Sequence, residues 1–134
     1  MTALSDSARK LIDETSIAIL ATLNPDGSPQ GSVVWVGRRG DDVVISSQAG
    51  RRKERNLRRD PRASLTIVDA ADPSRYLEVR GTATVSVDVG RQLAVELAEK
   101  YEGEGAGDEY LALPPEDLRV TITLTPNRIL GSAA

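Results

Sequence analysis

Residues 46–62 read SSQAGRRKERNLRRDPR, and this basic segment is the starting point for interpreting the chain. It holds seven of the 17 Lys and Arg residues, although the formal net charge of the 134-residue chain is −3. It follows the apolar run Val43–Ile45, which is typical of a strand, and near its end Asp60 and Pro61 stop a helix. The sequence therefore predicts a strand, a turn of Ser, Gln and Gly residues, and then a basic helix.

The cations of this segment lie at the start of the predicted helix, where Arg51, Arg52 and Lys53 fall in the first turn. The positive pole of the helix dipole disfavours each of them there by several tenths of a kcal/mol. A bound anion reverses the effect, because free N–H groups and the Ser46 and Ser47 hydroxyls then converge with the cations on one phosphate-sized volume. We predict an anion site here, and a solvated basic helix is the alternative.

The composition limits the chemistry that the chain can perform. It has no Cys and no His, which excludes thiol nucleophiles, disulfides, zinc clusters and a Ser-His-Asp triad, and no metal site is expected. No catalytic residue of the chain itself is predicted, so a reaction here requires a cofactor. The length predicts one domain that spans residues 1–134.

Apolar and alternating runs predict a mainly β fold with short α-helices. About six antiparallel strands, with hairpin links, close into a small barrel that removes exposed sheet edges. The predicted strands are Ile17–Leu23, Pro29–Gly37, Asp42–Ser47, Ala63–Asp69, Arg75–Val87 and Arg119–Thr125. Besides the basic helix, helices are predicted over Leu4–Thr15, with Ser5 or Asp6 as the N-cap, and from Val89 to about Tyr101, with Asp88 as the N-cap.

Several local features refine this prediction. Gly81 interrupts the fifth strand and indicates a bulge, while Val87 continues the inward apolar face of that strand. Val89 opens the apolar stripe of the last helix. Residues 102–109 are acidic and glycine-rich, which is typical of a mobile loop, and Pro126–Gly131 is expected to be a tail after the last strand. The single Trp, Trp35, is assigned to the core or to a dimer interface, with ring stacking as the alternative.

No apolar stretch is long enough to span a bilayer, and the N-terminus lacks the pattern of a signal peptide. The expected location is therefore the cytoplasm, without a membrane partner. A negative chain with one concentrated basic segment favours a local anionic ligand over a nucleic-acid surface. One Trp and three Tyr offer few rings for base stacking, which also lowers the nucleic-acid alternative.

Three strings resemble the pyridoxamine 5′-phosphate oxidase-like superfamily of FMN-binding split barrels, and within it the actinobacterial branch that uses the deazaflavin coenzyme F420. They are Ile19–Leu23 continuing through Asp26–Gln30, then Arg51–Ala63, then Glu78–Ala83. The resemblance covers nearly the whole chain, and Arg51–Ala63, with its Arg-x-Lys-x-x-Asn-Leu spacing, is its most specific part.

This resemblance implies a six-stranded antiparallel split β-barrel and a homodimer with two cofactor sites at the subunit interface. It implies a coenzyme F420-dependent oxidoreductase that transfers hydride between the deazaflavin and a small organic substrate. An FMN-binding oxidoreductase of the same fold and a non-catalytic F420- or flavin-binding carrier are the alternatives.

The resemblance also implies two groups of cofactor-binding residues. The first group would surround the cofactor phosphate and consists of Arg51, Lys53, Asn56, Ser46 and Ser47. The second group would lie along the cofactor ring and consists of Gln30, Ser32, Val33 and Val34.

Overall fold

The computed structural model describes residues 2–134, and within them it has one antiparallel sheet of seven strands with short helices. The strands are β1 (Ile17–Leu23), β2 (Pro29–Val34), β3 (Val36–Arg39), β4 (Asp42–Gln48), β5 (Arg62–Val68), β6 (Tyr76–Val87) and β7 (Arg119–Leu130). The α-helices are α1 (Asp6–Asp13), α2 (Arg52–Arg59), α3 (Gln92–Glu102) and α4 (Asp108–Leu111), and a 3₁₀ turn covers Val89–Arg91. No helix of the described residues is long and apolar enough to cross a membrane.

The sheet has seven strands and not six because the predicted strand Pro29–Gly37 is divided at Trp35. The strand order is β2-β1-β5-β6-β7-β4-β3, so β2 and β3 lie at opposite ends of the sheet although they are consecutive in the chain. Such an order requires the sheet to curl until its two ends approach each other at Trp35. The mainly β class and the curled antiparallel sheet expected for a split barrel are confirmed.

The barrel remains open on one side of this junction. β3 pairs with β4 only as far as Val36 opposite Ile45, and the last residues of β4, from Ser46 to Gln48, extend beyond the end of β3. Those residues pair with β7 on their other side. We call the opening between β2 and the end of β4 the split.

The core fills the inside of the curled sheet with aliphatic side chains. Leu20, Leu65, Ile122 and Leu124 are fully buried there, and each such side chain contributes about 1.5–3 kcal/mol through burial. Helix α1 adds Ala8, Leu11 and Ile12 to the same cluster. The hydroxyl of Ser5 accepts the N–H of Ala8 at 3.1 Å, which confirms the predicted N-cap.

Helix α3 begins at Gln92, so the predicted start at Val89 was wrong. Gly90 and Arg91 have φ of +68° and +56°, and this left-handed pair separates the 3₁₀ turn from the helix. The carboxylate of Asp88 still serves the helix, because it accepts the N–H groups of Leu93 and Ala94 at 3.0 Å each. Val89 is consequently 77% exposed and is not part of the apolar stripe.

The predictions for the ends of β6 and β7 also need correction. Val87 was expected to face the core but is 58% exposed, because β6 runs beyond the barrel at this end. The expected tail Pro126–Gly131 continues β7 as far as Leu130, where it pairs with Glu78 of β6. The segment 102–109 holds the end of α3, a glycine-rich turn and the beginning of α4.

Gly81 lies at the bulge that the sequence predicted. The register between β6 and β7 shifts between Arg80, opposite Arg128, and Gly81, opposite Pro126. A Cβ atom at position 81 would overlap the carbonyl oxygen of Thr125, so the two strands can approach closely only with Gly at this position.

We predict that Gly81→Ala destabilises the protein by about 1–3 kcal/mol, because the added methyl group forces the backbone of β7 to move. The measurement is the free energy of unfolding in urea. Gly31→Ala is the matched control, since a Cβ there would lie 3.7 Å from Ile19 Cγ2, an ordinary contact. Equal stability of the Gly81→Ala variant and the wild type would show that the bulge does not require Gly.

Candidate functional site

A cavity of about 230 Å³ lies at the split and is formed by residues from most of the surrounding elements. Strand β2 and the junction after it supply one wall, β4 and β7 supply the opposite wall, and helices α2, α3 and α4 complete it. The lining residues are Val33, Val34, Trp35, Ser46, Lys53, Ala94, Tyr110 and Arg119. Four predicted site residues, Ser46, Lys53, Val33 and Val34, are therefore brought together in one cavity.

Two cations of this cavity, Lys53 and Arg119, form no ion pair with a carboxylate of residues 2–134. Lys53 makes neither a hydrogen bond nor an ion pair with any side chain or backbone group of residues 2–134, and Arg119 pairs with no carboxylate among them. Burial lowers the pKa of the Lys53 ammonium, and the positive charges of Arg51 and Arg119 lower it further. Burial also lowers the pKa of Arg119; Tyr110 and Asp88 oppose this effect, and the charge of Arg51 assists it. The cavity is therefore electropositive and suited to an anion.

The beginning of α2 adjoins this cavity, although Lys53 lines it and the predicted ligand Arg51 does not. Arg51 occupies the N-cap position without a side-chain capping bond, and Arg52 and Lys53 are the first two helical residues. The guanidinium of Arg51 donates to Gln48 Oε1 at 3.1 Å, which keeps it beside the end of β4. Free N–H groups at this helix end, together with Arg51 and Lys53, favour a bound anion.

Glu54 orders the turn that precedes α2. Its carboxylate accepts the Gly50 N–H at 2.6 Å and the Arg58 Nε–H at 2.9 Å, and the side chain is nearly buried. The hydrogen bond from Gly50 is the largest influence that holds the pKa of Glu54 below its usual range, with burial opposing it and Arg58 assisting it. Glu54 thus fixes the backbone that presents Arg51.

Asn56 and Gln30 belong to a different set of contacts, which joins α2 to the β1–β2 hairpin. Asn56 is fully buried, and its Nδ2 donates to Thr22 Oγ1 and to Asn24 Oδ1 at 3.0 Å each. The hydroxyl of Thr22 in turn donates to Gln30 Oε1 at 3.3 Å. These two predicted residues do not line the cavity, and a direct role in binding stays a prediction.

The two remaining predicted serines also lie outside the cavity wall. Ser47 is buried on the opposite face of β4 and donates to the carbonyl oxygen of Gln48 at 3.1 Å. Ser32 is half-buried on β2, and its hydroxyl oxygen is enclosed without a hydrogen-bond partner in the described chain. Both stay predictions as cofactor ligands.

Two residues of the cavity, Arg119 and Tyr110, were not predicted from the sequence. Arg119 begins β7 opposite Gln48, and only the register of two strands distant in sequence shows that it faces Ser46. Tyr110 lies on α4, after the glycine-rich segment that was expected to be a loop. Trp35, assigned to the core or a dimer interface, lines the cavity and stacks on Tyr101 with centroids 5.3 Å apart.

A larger cavity, of about 430 Å³, lies on the outer face of β1, β5 and β6. Its two cations, Arg62 and Arg80, are already paired with Asp60 and Glu78 at 2.7 and 2.9 Å. Because both arginines are already paired with carboxylates, this cavity attracts an anion less strongly than the split does. The split is the better candidate for the functional site.

The donors at the split fit a phosphate-bearing cofactor. An ammonium, a guanidinium and the Ser46 hydroxyl face a volume that apolar Val33, Val34 and Trp35 enclose on the other side. Charge-assisted hydrogen bonds to such an anion are the strongest that these groups can make. The cavity holds no carboxylate or imidazole that would act as a general base, so its residues are suited to binding and orientation.

Comparison with known proteins gives matches along most of the chain. The family model described as pyridoxamine 5′-phosphate oxidase matches residues 4–132. A protein of Mycobacterium tuberculosis named F420H(2)-dependent biliverdin reductase is 34% identical, and the alignment covers 98% of this chain and 90% of that protein.

Solved structures also match over more than 90% of the chain. A structure described as F420 reductase superposes with a TM-score of 0.78 at 30% identity and covers 91% of this chain and 94% of its own. The heme storage protein HutZ of Vibrio cholerae superposes with a TM-score of 0.69 at 16% identity, covering 97% of this chain and 95% of its own. The second likeness concerns the fold alone.

We predict that Glu54→Gln destabilises the protein by about 1–2 kcal/mol at pH 7, because the Gly50 N–H loses its charged acceptor. The folded-state pKa of Glu54 lies below the ordinary value of 4.5, so its ionised form contributes stability above that pH. This contribution is lost as the pH falls through the folded-state pKa, and the difference between variant and wild type should shrink in acid.

The measurement is urea unfolding of both proteins between pH 3 and pH 7. Glu104→Gln, which replaces an exposed carboxylate without an ion pair, should leave the stability at pH 7 unchanged. A constant difference between the Glu54→Gln variant and the wild type over this pH range would contradict the role given to the ionised carboxylate.

Proposed function

Because this chain belongs to the pyridoxamine 5′-phosphate oxidase family, we propose that it is a coenzyme F420-dependent oxidoreductase with its cofactor at the split. The uncompensated cations Lys53 and Arg119, placed together in the cavity, are the observation that carries the proposal. The named activity of the 34% identical relative and the likeness to an F420 reductase select the deazaflavin among phosphate-bearing cofactors.

In this proposal the basic end of the cavity holds the cofactor phosphate. Lys53 and Arg51 supply positive charge, the Ser46 hydroxyl supplies a hydrogen bond, and the free N–H groups at the beginning of α2 complete the anion site. Asn56 stabilises the site indirectly, because its buried amide hydrogen-bonds α2 to the β1–β2 hairpin.

The ring of the cofactor would lie along β2, beside Val33 and Val34, with Ser32 and Gln30 further along the same strand. The edge of β2 that faces the split has backbone N–H and C=O groups free to orient a polar ring. When bound, the deazaflavin supplies hydride transfer, which is the chemistry that this chain lacks. The residues of the chain bind the cofactor, orient it and exclude water from it.

The substrate is proposed to be a small organic molecule, and biliverdin, named for the relative, is the first compound to test. An FMN-dependent enzyme with the same site is the alternative within the fold. A carrier that binds F420 without turnover is the alternative of another class. The FMN-dependent enzyme differs from the proposal in the cofactor that it binds. The carrier differs in that it shows no turnover.

A homodimer is proposed from the outer face of the sheet. Ile17 and Ile19 on β1 are 49% and 43% exposed, and Val33, directly opposite Ile19 on β2, is 75% exposed. Adjacent exposed aliphatic side chains are costly in water and are typical of an interface. Because Val33 also lines the split, a second copy on this face would help to enclose the cofactor.

Some expectations from the sequence stay predictions. They are the single domain over residues 1–134, the cytoplasmic location, and the absence of nucleic-acid and membrane partners.

We predict that Lys53→Met weakens binding of F420 by about 1.5–3 kcal/mol, the range for a hydrogen bond to a charged group. The melting temperature of the ligand-free protein should not fall, because the lost charge has no countercharge to stabilise it. The measurement is fluorescence titration with F420 and, in parallel, with FMN, followed by turnover assays with reduced F420 and biliverdin.

Arg52→Met is the matched control, since Arg52 is exposed, has no ion pair, and adjoins Lys53 on α2. Its affinity for F420 should stay within about 0.5 kcal/mol of the wild type. Tight binding of FMN in place of F420 would favour the alternative cofactor, and binding of reduced F420 without any turnover would favour the carrier. Unchanged affinity of the Lys53→Met variant would place the phosphate elsewhere, and equal loss in both variants would show a general effect of positive charge in place of a direct contact.

We predict that Ile19→Arg converts the dimer to a monomer, because a charge in the centre of the apolar face opposes its burial. The measurement is the molar mass in solution by light scattering after gel filtration. Val87→Arg is the control, since Val87 is a similarly exposed aliphatic residue at the far end of β6. A monomeric wild type, or a dimeric Ile19→Arg variant, would refute this interface.

A further inference from the structure

We propose that Arg119, oriented by Tyr110 of helix α4, binds the anionic group of the cofactor directly. The inference rests on the function proposed above and adds to it a ligand outside the basic helix. It assigns to the segment after α3 the task of fixing one wall of the anion site. No motif of the basic segment 46–62 points to this residue, because Arg119 lies in the last strand.

The guanidinium of Arg119 is held in position by the protein but forms no ion pair with a carboxylate of residues 2–134. Its Nη2 donates to Ser46 Oγ at 2.9 Å, which aims the guanidinium along the wall of the cavity that contains Lys53. Its Nε is enclosed and has no hydrogen-bond partner in the described chain. Arg119 is half-buried, and an enclosed donor without a partner is costly unless a ligand completes its contacts.

Tyr110 fixes the position of this guanidinium. The ring of Tyr110 lies with its centroid 5.0 Å from Arg119 Cζ, a distance at which the positive group is attracted to the face of the ring. The same ring lines the cavity, so Tyr110 supports Arg119 at the boundary of the site without competing for its hydrogen bonds.

The segment that carries Tyr110 is itself held in place by Arg91. The guanidinium of Arg91 donates to the carbonyl oxygens of Tyr110 at 3.1 Å, Leu113 at 2.8 Å and Pro114 at 2.5 Å. A fourth bond from Arg91, to the carbonyl oxygen of Asp117 at 3.3 Å, extends this constraint along the segment that follows α4. A chain of contacts therefore leads from Arg91 through Tyr110 to Arg119 and the cavity.

A purely structural role for Arg119 makes a different prediction from a binding role. If Arg119 only packs against Tyr110, then its replacement lowers the stability of the ligand-free protein. If Arg119 is an uncompensated cation kept for a ligand, then its replacement weakens binding while the ligand-free melting temperature is maintained or raised.

The test uses the full chain with Arg119→Gln, which keeps a polar side chain and removes the charge. We expect the affinity for F420, measured by fluorescence titration, and for inorganic pyrophosphate, measured by calorimetry, to fall about 10- to 100-fold. The ligand-free melting temperature should not fall. Arg128→Gln is the matched control, since Arg128 is an exposed arginine on the same strand, and it should bind both ligands like the wild type.

The Tyr110→Leu change, made in the wild type and in the Arg119→Gln variant, tests the role of Tyr110. Tyr110→Leu keeps an apolar side chain but removes the ring, and it should weaken binding in the wild-type background by about 3- to 10-fold. In the Arg119→Gln background the same change should have no further effect, because its influence passes through the guanidinium. Additive losses would show that Tyr110 contacts the ligand independently and would overturn its assignment as a positioning residue.

The outcomes for the proposed function and for Arg119 are separable. Wild-type protein that binds F420, together with an Arg119→Gln variant of equal affinity, overturns the inference and leaves the proposed function intact. Failure of the wild type to bind F420 overturns the proposed function, and the pyrophosphate titration then decides whether Arg119 belongs to the anion site. A fall in ligand-free melting temperature of more than about 5 °C in the Arg119→Gln variant overturns the binding role in favour of packing.

Discussion

The structure depends on one constraint, which is that the two ends of the sheet are consecutive parts of a single segment. β2 and β3 are separated only by Trp35, yet one pairs with β1 and the other with β4 at the opposite end of the strand order. The sheet must curl to satisfy both pairings, and it cannot close fully because β3 is shorter than β4. The split that remains is a consequence of strand length, and residues of β2, β4 and α2 meet there around a cavity.

The fold provides this opening, and the side chains around it determine what it binds. The likeness in fold extends to a heme storage protein at 16% identity, so the curled sheet alone does not identify a ligand. In this chain, Lys53 and Arg119 face the cavity without countercharges, whereas Arg62 and Arg80 on the outer face are paired. The difference between compensated and uncompensated cations is what separates a binding site from an ordinary charged surface.

Much of the fold followed from local patterns, because period-two apolar runs determine which residues of a strand face the core. β1 was predicted with its observed limits, and the Gly81 bulge was predicted from the interruption of β6. The division at Trp35 could not be predicted, since Pro29–Gly37 is one continuous strand-like run and the break arises from tertiary closure. Lys53 and Ser46 were found because a strand end and a helix start adjoin in sequence, while Arg119 depends on a strand register that spans more than 70 residues.

Trp35 connects these features in a further way. It is the single tryptophan of the chain, it lines the cavity, and its indole stacks on Tyr101 at an interplanar angle of 11°. The tryptophan fluorescence of the molecule therefore originates at the wall of its own cavity. Occupancy, displacement and exchange of any molecule at the split are in this way open to optical measurement without a label, in the unmodified protein.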